Sequence, residues 1–229
     1  MKYVILIHSN PQPWGHPTGE FIPEFQALPE DVRHLPLLDQ PVAERADAAR
    51  NRRKIFDAAE RLLTGPTANA DAVPMRAVAA AAGVGVGTLF RRFGNRDGLM
   101  NALLEQRAID LQAAVMSGPP PLGPGAAPDA RLRAFLTAVA GYVDRYAPLV
   151  GAYERSAPGA RYGAPVYRFW HQHARVLIDQ ARPDLDADLL AHLLLAPLTA
   201  DLQAHLAATG LDLDRRARAV ADLVEAVLR

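Results

Sequence analysis

The chain has 229 residues, half of them hydrophobic, equal numbers of acidic and basic side chains, and no cysteine. That length suffices for a buried core in one or two domains, and the lack of cysteine excludes a disulfide framework and a thiol nucleophile. No run approaches the ~18 apolar residues of a membrane span, and the apolar start Tyr3 to Ile7 is shorter than a signal-peptide core, so the expected location is the cytoplasm.

Lys2 to His8 reads as a strand from its β-branched and aromatic content, and Asn10-Pro11-Gln12-Pro13 breaks it. An isolated strand leaves its backbone donors unmatched, so residues 1–42 are expected to be a short β-containing extension, partly disordered or lying on the body, with Pro36 and Pro41 at its boundary. Ala43 to Leu63 reads as a helix, with Ile55, Ala58, Ala59 and Leu62 on one stripe and a basic start of Arg45, Arg50, Arg52, Arg53 and Lys54. Thr64-Gly65-Pro66 ends it, and Thr67 to Val73 loops into a second helix headed by Pro74, which suits a first helical position but cannot cap an amide through its side chain.

The alanine-rich run Ala77 to Ala82 favours helix, and Gly83 follows where a terminating residue takes positive φ. After Gly83-Val84-Gly85, helical spacing resumes with Val86, Leu89, Phe90 and Phe93 on a buried face. Gly87, Thr88, Arg91 and Arg92 lie on the other, a face suited to a phosphate-lined groove. A dinucleotide-binding glycine loop is the rival reading of Gly83, Gly85 and Gly87. It is weakened because helix rather than strand precedes it and Thr88 replaces the third glycine. The charge supports the groove reading. Residues 43–96 carry net +5 (Arg45, Arg50, Arg52, Arg53, Lys54, Arg61, Arg76, Arg91, Arg92 and Arg96 against Glu44, Asp47, Asp57, Glu60 and Asp71), which leaves net −5 elsewhere.

Asp97 to Met116 reads as one long helix with Leu99, Ala102, Leu103, Ile109, Ala113 and Met116 buried, followed by a Pro/Gly loop from Ser117 to Gly125. Further helices are predicted at about 129–146, 149–155 and 165–182. The aromatics of this region read as core or, alternatively, as an apolar effector cavity: Phe135, Tyr142, Tyr146, Tyr153, Tyr167, Phe169 and Trp170, with Arg168, His171 and His173 available to an anionic ligand. His171 and His173 sit two apart on different sides of a helix, so no metal site is expected, and His192 and His205 read as interface or core residues. Leu190, Leu194, Leu198, Leu202 and Leu206 form an i+4 ridge on a helix that Pro197 bends. The last helix opens at Asp212 with Leu213, Val220, Val224 and Leu228 on one face. No Ser/His/Asp, Cys/His or paired-carboxylate arrangement points to an enzyme, and no cofactor is expected.

The basic first helix, Met75-Arg76 through Ala82, Gly83-Val84, Gly87 to Phe93 and Asn95-Arg96 resemble the DNA-binding domain of the TetR family of bacterial transcriptional regulators. Met1 to Leu28 resembles the first strand and helix of the ferredoxin-like YCII-related (DGPF-type) proteins, only the start of such a domain, which reads as a fused remnant or the product of a misplaced start codon. The TetR resemblance implies an all-α fold: a three-helix helix-turn-helix reader at 43–96, and at 97–229 a helical bundle that binds a small-molecule effector and dimerises. Val86, Gly87, Thr88 and Arg91 would then face base edges, with Arg45, Arg53, Arg76, Arg92 and Arg96 on phosphates and Asn95 capping the following helix. Phe90 stands where the family most often has tyrosine, so the ring remains without the hydroxyl. Effector contacts would come from Phe135, Tyr142, Tyr146, Tyr153, Arg168, Trp170 and His173, and a dimer interface from Leu190, Leu194, Leu198, Leu202, Leu213, Val220 and Val224. The function implied is a ligand-responsive repressor on a near-palindromic operator. The alternatives are an activator of the same kind or an enzyme-related role of the YCII-like segment.

Overall fold

The computed structural model describes residues 42–64 and 73–228. The strand expected at Lys2 to His8, the YCII-like segment and the loop at 67–72 lie outside the described residues. Within them, every regular element is helical. The elements are α1 (Val42–Thr64), α2 (Met75–Ala82), α3 (Val86–Phe93), α4 (Arg96–Ser117), α5 (Pro128–Arg145), α6 (Ala147–Glu154), α7 (Ala160–Gly163), α8 (Pro165–Ala181), α9 (Ala187–Leu195), a 3₁₀ turn (Ala196–Leu198), α10 (Ala200–Ala208) and α11 (Leu213–Leu228). Residues 53–229 form one compact unit.

Two apolar cores organise that unit. The first gathers Ile55, Phe56, Ala58 and Ala59 of α1, Val78 and Ala79 of α2, Leu89 of α3, and Leu99, Met100 and Leu103 of α4. Gly83 ends α2 at φ 67°, a left-handed turn that costs glycine little, and its amide returns to Ala80 O. Pro74 stands one residue before α2 rather than inside it, and its carbonyl accepts from Ala77 and Val78. The second core is built from Phe135, Leu136 and Val139 of α5, Trp170, Ala174 and Leu177 of α8, Leu194 and Leu195 of α9, and Val220 and Val224 of α11.

Helix α4 serves both cores, and it corrects one expectation. Leu99 and Leu103 are buried as predicted, but Ile109 and Met116 are 48% and 52% exposed, and Val115 is the buried residue of the last turns. The second core meets α4 on a different side from the first, so a single apolar stripe does not run its length.

The leucine ridge from Leu190 to Leu206 is also not continuous. Pro197 lacks an amide and its ring crowds the preceding turn, so α9 stops at Leu195 and the chain resumes as α10 after a 43° bend. Three carbonyls at this joint take side-chain donors: Arg161 donates to Leu195 O at 2.9 Å and to Leu198 O at 3.0 Å, and the Gln203 amide donates to Pro197 O at 2.7 Å. The Ala200 amide donates to Glu154, whose other oxygen pairs with Arg161 at 2.6 Å. Buried Arg216 extends the set, reaching Gln203 Oε1 and Asp144 Oδ1, each at 2.5 Å. No single described helix is long and apolar enough to cross a membrane. The bent pair around Pro197 meets the test by length and composition, but places Leu194, Leu195 and Leu198 inside the second core.

Candidate DNA-binding surface

Helix α3 is held by one side and open on the other. Leu89 is fully buried in the first core, Val86 and Phe93 are partly buried beside it, and Phe93 packs on Phe56 with ring centroids 5.8 Å apart. Gly87, Thr88, Arg91 and Arg92 are exposed together on the outer side. Phe90 was expected on the buried face as well as at the DNA, and it stands 46% exposed. At 100° per residue it lies next to buried Leu89 but turns past the core edge, so its ring joins the outer surface.

Arg76 of α2 and Arg53 of α1 are exposed, and no acidic residue occurs from Val73 to Asn95. Arg96 is partly buried and pairs with Asp97 at 3.2 Å, which offsets part of its charge. Asn95 caps α4, its Oδ1 accepting from the Gly98 amide at 2.8 Å. Arg45 lies in α1, but its side chain is outside the described residues. The open face therefore combines small residues that allow close approach, a hydroxyl and two guanidinium groups, a combination that suits a nucleic-acid groove.

Residues 55–103 match the family model for bacterial regulatory proteins of the tetR family. Over that stretch, which runs from α1 into α4, the chain carries a helix-turn-helix segment of the tetR type. No curated protein matches it. Among solved structures, its fold is similar to a TetR-like transcriptional regulator from Rhodococcus sp. RHA1 (TM-score 0.52, 19% identity, 78% of this chain and 93% of that one). It is also similar to the fatty acid degradation regulator FadR from Bacillus halodurans (0.57, 16%, 76% and 94%) and to a TetR-family transcriptional regulator from Haemophilus influenzae (0.50, 17%, 80% and 97%). The all-α fold, with a helix-turn-helix segment of the tetR type, thus holds for the described residues.

The residues expected around an effector do not converge on one open cavity. Phe135, Tyr142, Trp170 and His173 meet between α5 and α8, with Phe135 edge-on to His173 at 4.8 Å and Tyr142 edge-on to Trp170 at 5.5 Å. Tyr146 instead belongs to the first core, while Tyr153 and Arg168 are exposed. Of these residues, Tyr142 alone borders one of the two open grooves. One of about 510 Å³ is lined by Glu154, Arg161, Tyr162 and Thr199, and one of about 740 Å³ by Leu63, Tyr142, Asp144 and Leu213. Trp170 Nε1 and His173 Nε2 are buried with no hydrogen-bond partner among the described residues.

Burial, helped by the nearby Arg131 charge, pushes the His173 imidazole down to about 4. A depressed histidine binds fewer protons folded than unfolded. Its contribution is therefore fully present above the ordinary value near ~6.5 and is lost as pH falls towards the folded value. Replacing His173 with phenylalanine keeps a ring beside Phe169 and removes that titration. Urea midpoints at about pH 7 and about pH 4.5 should then differ less in the variant than in the parent. Equal shifts in both proteins would show that His173 carries none of the acid sensitivity.

Most of the residues expected at a dimer interface turn inward. Leu194, Leu198, Val220 and Val224 are buried within this chain, and Leu190 and Leu213 are half-buried, so of that set only Leu202 is exposed. The break at Pro197 and the packing of α9 and α11 on α5 and α8 draw those side chains inward. Leu189, Leu193 and Leu223 are 54%, 55% and 42% exposed on the same helices. His192 and His205 are likewise exposed rather than core. Sequence spacing also missed that His192 meets His171, 21 positions earlier, with ring centroids 3.9 Å apart. The pair sits on separate helices, and no local pattern announces it.

Proposed function

We propose that this chain is a regulator of the TetR family: a cytoplasmic, homodimeric and ligand-responsive repressor that reads a near-palindromic operator through α3. Its reader spans 43–96 and its effector-binding and dimerising body 97–229. The carrying observation is the exposed Gly87, Thr88, Arg91 and Arg92 face, anchored from behind by fully buried Leu89, in a stretch free of acidic residues. Val86, Gly87, Thr88 and Arg91 face bases. Arg53, Arg76, Arg92 and Arg96 serve phosphates, with Arg45 extending α1 in the same role and Phe90 adding apolar contact.

The body supplies support for ligand response. Trp170 Nε1 and His173 Nε2 are buried polar atoms awaiting partners, which favours an apolar effector carrying a hydrogen-bond acceptor between α5 and α8. Tyr142 touches Trp170 and donates to Leu104 O of α4 at 3.1 Å, so a ligand that displaces Trp170 pulls on the helix that adjoins the reader. The exposed leucines Leu189, Leu193, Leu202 and Leu223 favour the partner surface on α9, α10 and α11.

The test is a titration of a fluorescent duplex carrying the gene's own upstream region against a scrambled duplex, at two salt concentrations. The parent should discriminate strongly, with a steep salt slope. Arg91→Ala should weaken specific binding by about 1–3 kcal/mol and leave non-specific binding nearly unchanged, because a bidentate guanine contact carries sequence information. Equal weakening on both duplexes would reassign Arg91 to a phosphate. No discrimination by the parent would remove operator binding as the function.

A further inference from the structure

Helices α8 and α9 pack against each other and face each other with two pairs at i and i+4: Tyr167 and His171 on α8, Asp188 and His192 on α9. Residues four apart on a helix point to one side, so each pair presents two side chains to the neighbouring helix. His171, Asp188 and His192 each offer one ligand atom, and these atoms all lie within 4.8 Å of one another. The His171 Nε2 is 3.7 Å from Asp188 Oδ1 and 3.1 Å from the Asp188 carbonyl. His171 is 16% exposed at its side chain and Asp188 71%, so the cluster is rooted between the helices and open to solvent on one side.

We propose that His171, Asp188 and His192 bind a divalent transition-metal ion of the zinc class. Two imidazoles and one carboxylate are a borderline-soft nitrogen and oxygen set, suited to Zn²⁺, Co²⁺ or Ni²⁺ rather than to Ca²⁺ or Mg²⁺, which take oxygen ligands. Three protein ligands leave a coordination position for water or another donor. Tyr167 supplies the outer contact that such histidines ordinarily have. Its hydroxyl lies 2.8 Å from His192 Nδ1, and in the tautomer that carries the ring proton on Nδ1 the hydroxyl accepts it and the Nε2 lone pair is left for the ion. The imidazoles lie close, with their planes tilted by 30°, and the three ligand atoms, up to 4.8 Å apart, would draw together around an ion. In doing so His171 exchanges its contact with the Asp188 carbonyl for the metal. The ion then fastens α8 to α9 beside Leu189 and Leu193, the exposed leucines of α9. This inference stands independently of the DNA-binding reading.

The test uses the full chain without a histidine tag, freed of metal by chelator and titrated with ZnCl₂ by calorimetry, with CoCl₂ as a spectroscopic probe of coordination. One ion per chain should bind, and Co²⁺ should give the visible absorption of a low-coordinate nitrogen and oxygen site. His192→Gln and Asp188→Asn, both at exposed side chains, should each weaken binding at least ~10-fold, and Tyr167→Phe by roughly 10-fold, as lost outer contacts do. His205→Gln, on α10, should bind as the parent does. Melting of the metal-free variants followed by circular dichroism establishes that each is folded. Parent uptake with no defined stoichiometry, or parent-like affinity in both His192→Gln and Asp188→Asn, overturns the proposal and leaves the imidazole pair as packing alone.

Discussion

Replacing Glu60 with alanine should lower the unfolding free energy by about 2–4 kcal/mol, far more than an ordinary surface carboxylate contributes. Glu60 projects from α1 with its side chain only 12% exposed. One oxygen accepts from Arg145 Nε at 2.5 Å and from the Tyr146 hydroxyl at 2.8 Å, and the other from Arg107 Nε at 2.9 Å. Burial alone pushes its carboxyl up, but the Tyr146 hydrogen bond and the charges of Arg107 and Arg145 hold it below the ordinary value. On the other side, burial and the bond to Glu60 push the Tyr146 phenol up to about 12. Alanine leaves the Tyr146 hydroxyl, on a residue 3% exposed, without its acceptor, a loss of about 1–3 kcal/mol by itself. Arg107 keeps Asp57 at 2.8 Å and Asp110 at 3.1 Å, which is why the loss stops short of that for an abandoned buried cation. Glu60→Gln, which retains an acceptor and the shape, should lose less than half as much. Urea unfolding measures both. A loss below about 1 kcal/mol for Glu60→Ala would show that the cluster is held by its other pairs. Because these contacts reach α4 and α5 from α1, the same variant should also loosen the tie between the reader helices and the body.

Gly87→Glu should reduce operator affinity by at least ~100-fold while leaving folding stability equal or higher. The two effects separate because Gly87 is exposed, lies in the second position of α3, and has nothing within 4 Å of where a Cβ would stand. A side chain there relieves up to about 1 kcal/mol of glycine's helix penalty, and a carboxylate in a first turn adds a small favourable interaction with the helix dipole. On the DNA side the substitution fills a space needed for close approach and sets a negative charge against phosphates. Thermal melting and the duplex titration, run on one preparation, report the two quantities. Affinity within a few-fold of the parent's would take α3 out of the groove.

Much of this architecture is legible in the chain itself, for physical reasons particular to each element. The alanines before Gly83 and the spacing of Val86, Leu89 and Phe93 define two short helices and the turn between them, because helix propensity, a left-handed terminator and a one-sided apolar stripe are local properties. What spacing cannot reveal is which neighbour uses a stripe. Ile109 and Met116 repeat at helical intervals with Leu99 and Leu103, yet the second core approaches α4 from another side and leaves them in solvent. The leucines at 194 and 198 look like a seam for a partner and are consumed by the chain's own bundle. Polar convergence is the least visible of all. Glu60 finds Arg107 and Arg145, and His171 finds His192, only when distant helices are brought side by side.

The joint at Pro197 has a consequence for how this sequence can change over generations. Arg161, Gln203 and Glu154 come from three separate stretches, and each has polar atoms committed to a backbone that exists only because the helix is interrupted there. A substitution that restored a straight helix would return those carbonyls to helical partners and strand a guanidinium and an amide in the interior. A substitution of Arg161 alone would strand the carbonyls instead. Neither step is open by itself, so the proline and its three attendants form a ratchet: once assembled, the bend is inherited as a set, and drift elsewhere in the bundle must work around it.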